Sequence, residues 1–108
     1  MKKLIRLIAE VKDQNDLKMI LQLVVEDKKL VTQEHFGYQK EGGDLYPFIL
    51  YPPDSSNQAQ QKLEFGECCE SKATTNLFTR SVIVGEYFTL IEDGDEYTYQ
   101  ITHVTELV

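Results

Sequence analysis

The stretch Leu17-Lys18-Met19-Ile20-Leu21-Gln22-Leu23-Val24-Val25 decides the architecture, because it satisfies two periodicities at once. Leu17, Ile20, Leu21, Val24 and Val25 form a helical stripe, whereas Leu17, Met19, Leu21, Leu23 and Val25 alternate as a strand does. The flanks favour a helix. Asp13 is placed to accept bonds from first-turn N–H groups, with Asp16 three residues on, and Lys28 and Lys29 fall where a helix C-terminus favours cations. Leucine, methionine, lysine and glutamine are also good helix formers. The sequence thus predicts an α+β class: a single domain over 1–108, β-rich, with an antiparallel sheet and one N-terminal helix over about 14–27. The alternative is all-β, with the N-terminal third a β-hairpin.

Outward from this segment the texture is β. Residues 3–11 place Ile5, Leu7, Ala9 and Val11 on one side at period two, and the polar Lys12-Asp13-Gln14-Asn15-Asp16 stops them. Further strands are predicted over 30–38 and 45–51 around a Glu41-Gly42-Gly43-Asp44 turn, then over 62–69 and 78–84. The proline-led 52–61 reads as an exposed loop and 70–76 as a polar connection.

The C-terminal segment can be read in register. Asp93-Gly94 between two apolar runs signals a two-residue type I′ turn. Pairing then runs from Glu92 with Asp95 through Leu90 with Tyr97 and Phe88 with Tyr99 to Glu86 with Ile101. One face carries Phe88, Leu90, Tyr97, Tyr99 and Ile101, so it is the core face; a slip by one residue would exchange the faces. Gly85 marks a bulge or bend ahead of it.

The 108 residues carry 11 Lys and Arg against 18 Asp and Glu, a net charge of −7. The acidity is placed rather than spread: after Arg80 there is no lysine or arginine, while Glu86, Glu92, Asp93, Asp95, Glu96 and Glu106 follow. Such a chain would repel nucleic acid and attract a cationic partner. No apolar run is long enough to span a bilayer, and Arg6 and Glu10 interrupt the signal-like start, so a cytoplasmic protein is expected, with no membrane partner.

Chemistry is hard to assemble. Asp93-Gly94-Asp95-Glu96 lacks the alternating ligand spacing of a calcium loop. Cys68 and Cys69, adjacent on a predicted strand, point to opposite faces and cannot readily share a metal with His35 or His103. His103, two residues from Ile101, is read as a core-edge residue, and His35 as equally suited to the surface. No phosphate loop or nucleophile elbow occurs, so no catalytic residue, metal or cofactor is assigned.

In size, acidity and lack of catalytic motifs the chain resembles bacterial toxin-immunity proteins. That resemblance implies a non-enzymatic inhibitor, monomeric before binding, that blocks a basic nuclease-like toxin. The predicted partner-binding residues are Glu86, Tyr87, Glu92, Asp93, Asp95 and Glu96. The alternative is an accessory β-rich module of a larger bacterial or phage assembly, expected to show an exposed apolar patch and to self-associate.

Overall fold

A computed structural model describes residues 1–12, 14–54, 60–66 and 72–107, and its regular structure is almost wholly β. The strands are β1 (Lys2–Val11), β2 (Gln14–Glu26), β3 (Lys29–Leu30), β4 (His35–Glu41), β5 (Asp44–Leu50), β6 (Gln61–Phe65), β7 (Lys72–Thr75), β8 (Tyr87–Glu92) and β9 (Asp95–Glu106). All pairings are antiparallel, and apart from the short β3 laid on β2, each strand pairs with the next. β9 then returns to pair with β1, which also pairs with β2. The result is a closed eight-stranded up-and-down barrel, in which each of the eight ring strands is paired on both sides.

The α+β expectation is therefore overturned: the segment over about 14–27 is not a helix but β2, the longest strand. Leu17, Met19, Leu21, Leu23 and Val25 all point into the lumen and are buried, while Ile20 and Val24, which the helical stripe needed inside, lie on the outer wall. The physical reason is partnership. A lone helix of this length is marginal in water, whereas β1 pairs β2 along nearly its whole length and β4 pairs its other side. The Asp13 cap lies outside the described residues.

Lys28, assigned to a helix end, instead sits in the turn between β2 and β3. Asp27 and Lys28 have φ of 52° and 66°, the left-handed values that a two-residue hairpin turn demands. Neither is a glycine, so the turn carries a steric cost. Lys28→Gly is expected to raise stability by about 0.5 kcal/mol, because the relief exceeds the extra chain entropy. A higher urea midpoint with unchanged slope would verify this.

Other boundaries also move. The predicted 30–38 strand is broken, with β3 ending at Leu30 and β4 starting at His35. The 70–76 connection contains β7, and 78–84 is not a strand: Leu77–Thr79 form a 3-10 turn followed by irregular chain. Val82 N–H donates to the Lys28 carbonyl at 2.7 Å, and Leu30, Leu77 and Val82 are buried together at that end of the barrel. Gln61, placed in an exposed loop, opens β6 and is buried.

The C-terminal hairpin matches its predicted register pair for pair from Glu92–Asp95 to Tyr87–Gln100. Asp93 and Gly94 both have positive φ, as a type I′ turn requires. Phe88 and Tyr99 stack inside the barrel at 5.5 Å, and Phe48 meets Phe65 edge-on at 5.6 Å. His103 departs from expectation. A bulge in the β1–β9 pairing, between Ile8 and Ala9, shifts the facing by one residue, so Ile101 is buried while His103 is exposed.

Candidate functional site: the acidic barrel mouth

Antiparallel succession sends every second turn to the same end of the barrel. The β1–β2, β4–β5 and β8–β9 turns therefore surround one opening. Two of these hairpins share a pattern: Glu41-Gly42-Gly43-Asp44 and Glu92-Asp93-Gly94-Asp95 each set a carboxylate pair, Glu41 with Asp44 and Glu92 with Asp95, around a tight turn. β4 and β8 lie four strands apart in either direction around the ring, so Glu41 and Glu92 face each other across the mouth.

The mouth has a floor. Gln39 on β4 and Tyr99 on β9 are both buried, and the Gln39 Nε2–H donates to the Tyr99 hydroxyl at 3.0 Å. Since these strands are not neighbours, the bond bridges the lumen rather than running along the wall. Side chains fill the barrel beneath it, as they can in a ring of eight strands. Tyr46 and Tyr97, partly buried against the core, line the mouth above.

Electrostatics follow from this placement. Burial, then the charges of Asp93, Glu41 and Asp95, raise the Glu92 carboxyl above its ordinary pKa. Burial, then Asp95, Glu92, Glu41 and Asp93, also raise the Tyr97 phenol. Burial pushes Tyr99 up to about 12, against a partial offset from the Gln39 bond. Each group resists further negative charge, so the mouth as a whole favours a cation. Among the described residues no group of three or more His, Cys, Asp or Glu is arranged to hold a metal ion.

The six sequence-predicted residues do not form one patch. Glu92, Asp93, Asp95 and Glu96 stand at the mouth, but Glu86 and Tyr87 lie at the other end of β8, about 17–20 Å away for a strand of this length. There the Tyr87 N–H donates to the Glu86 carboxylate at 3.0 Å. Glu41, Asp44, Gln39 and Tyr46 were missed, although the repeated Glu-x-Gly-Asp spacing at 41–44 and 92–95 was a signal for the first two. Cys68 and Cys69 lie outside the described residues.

His35, read as equally suited to the surface, is instead 2% exposed, and among the described residues neither ring nitrogen has a hydrogen-bond partner. Burial pulls its pKa below the ordinary value, with a smaller opposing influence from the Val24 backbone. A depressed histidine pKa means that the unfolded chain binds the proton more readily. Its contribution to stability is thus present above about pH 6.5 and is lost as pH falls from there through the folded-state pKa. We expect the melting temperature to drop on acidification below that point, and His35→Leu to flatten this part of the profile; equal slopes in the two proteins would contradict it.

Among the described residues no helix is long and apolar enough to cross a membrane. Comparison with protein-family models, with curated proteins and with solved structures finds no match.

Proposed function

We propose that this chain is a non-catalytic protein-binding domain of the immunity-protein or antitoxin type, which neutralises a basic partner by seating its cationic surface on the acidic barrel mouth. The observation that carries the reading is the cross-lumen opposition of Glu41 and Glu92, with Asp93 and Asp95 beside them, above a closed Gln39–Tyr99 floor. Like charges held this close destabilise the free protein and are relieved by an arginine or lysine of a partner. The floor denies a ligand deep entry, so the recognised group is one that reaches in from a surface. Glu86 and Tyr87 fall outside this footprint.

The test is binding to purified basic nuclease domains at two ionic strengths, with Asp95→Lys and Glu96→Lys introduced together. Both positions are exposed turn neighbours, so the barrel should persist. The double reversal should slow association by about tenfold or more at low salt and leave dissociation less affected. Binding that ignores both salt and these substitutions would overturn the proposal. The second reading, an accessory module in a larger assembly, is favoured by the apolar side chains exposed on another face of the barrel.

A further inference from the structure

The outer wall of an antiparallel barrel normally meets water with polar side chains, but here the wall of β1, β2, β4 and β5 does not. A cross-strand row runs Ile8, Ile20, Tyr38, Pro47, and the next row ends in Phe36 and Ile49. Phe36 is 58% exposed and Tyr38 is 37% exposed. Phe36 stands between two hollows, one of about 600 Å³ toward β1 and β2 and one of about 650 Å³ toward β6, which meet at Phe36 and Gly37. Exposed aromatics beside concave ground are the usual anchors of a protein interface.

Arg6, Lys18 and Lys40 flank the apolar rows; of the carboxylates nearby, Glu10 pairs with Lys18 at 3.7 Å, Glu26 meets the N-terminal amine at the far end of β2, Glu64 opposite Ile49 accepts a bond from the Tyr51 hydroxyl, and Asp16 lies toward the mouth. Among the described residues Arg6 and Lys40 form no ion pair. On a chain of net charge −7, two cations left without an ion pair among the described residues beside exposed apolar side chains are a local arrangement that composition does not require.

From the apolar rows, the paired hollows and the unpaired cations we infer that this wall docks an acidic amphipathic segment of another protein, with apolar side chains seated beside Phe36 and carboxylates meeting Arg6 and Lys40. The site is separate from the mouth and does not rest on the reading given to it. The two surfaces select opposite partner charges.

Selection of a random displayed-peptide library on the full-length protein tests the chemistry directly. The expected result is enrichment of sequences combining Leu, Ile or Phe with Asp or Glu, whose synthetic peptides bind about tenfold more weakly to Phe36→Ser and to Arg6→Glu. Both positions are on the outer wall, so circular dichroism should show each variant folded. Asp95→Lys with Glu96→Lys should leave this binding unchanged, while basic peptides directed to the mouth should show the reverse pattern. The inference is overturned if no acidic apolar peptides emerge, or if those that do ignore Phe36→Ser. Concentration-dependent dimerisation, or binding to phosphatidylcholine–phosphatidylserine vesicles, that disappears in Phe36→Ser would likewise overturn it by assigning the wall to a second copy or a bilayer.

Discussion

Gly37→Val is expected to be the most damaging single substitution outside the aromatic core. Gly37 faces Leu21 across the β2–β4 pairing, and a Cβ built on it would lie 2.5 Å from the Ile20 carbonyl oxygen and 3.0 Å from the Leu21 side chain. The nearest obstacle is backbone, so no rotamer change can clear it. One strand must move, and both are closed into the ring. Overpacking of this kind costs about 2–3 kcal/mol or more. For a domain of this size the melting temperature should fall by about 10 °C or more. Gly43→Ala is the control, since nothing lies within 4 Å of its added Cβ, and it should change stability by less than about 0.5 kcal/mol. Equal effects from the two substitutions would show that the β2–β4 approach is not the constraint.

The Gln39–Tyr99 bond across the lumen supplies the second large effect. Tyr99→Phe leaves a buried amide without its acceptor, and Gln39→Leu leaves a buried hydroxyl without its donor. Each orphaned group should cost about 1–3 kcal/mol. The double variant removes both partners and should lose less than the sum of the singles, giving a coupling of about 1 kcal/mol or more in a denaturation cycle. Strict additivity would mean that the two side chains do not depend on each other. The cycle also bears on the mouth, because loss of this floor would open the space between Glu41 and Glu92 to deeper ligands.

How much of this was legible depends on the range of the interactions involved. The β8–β9 hairpin was read residue by residue because its register is set locally, by a two-residue turn and an alternating face. The β1 pattern was equally readable, with Ile5, Leu7 and Ala9 buried as their spacing implies. The facing of His103 was not, because a bulge opposite β1 reverses it and leaves no mark in the β9 sequence. His35 was no more legible: a histidine carries no sign of whether its strand turns it inward.

By itself the sequence determined the acidity, its concentration around Asp93-Gly94, and the strength of the local C-terminal turn. Tertiary structure alone decided that residues 17–25 form a strand, that Glu41 joins Glu92 at one opening, and that Arg6, Lys18 and Lys40 share an outer wall with Phe36 and Tyr38. The reason is the same in each case. Two periodicities fitted the Leu17–Val25 stretch almost equally, and what separated them was pairing with β1 and β4 along both sides. That hydrogen bonding is supplied by the neighbouring strands and is not written in the periodicity of the stretch itself.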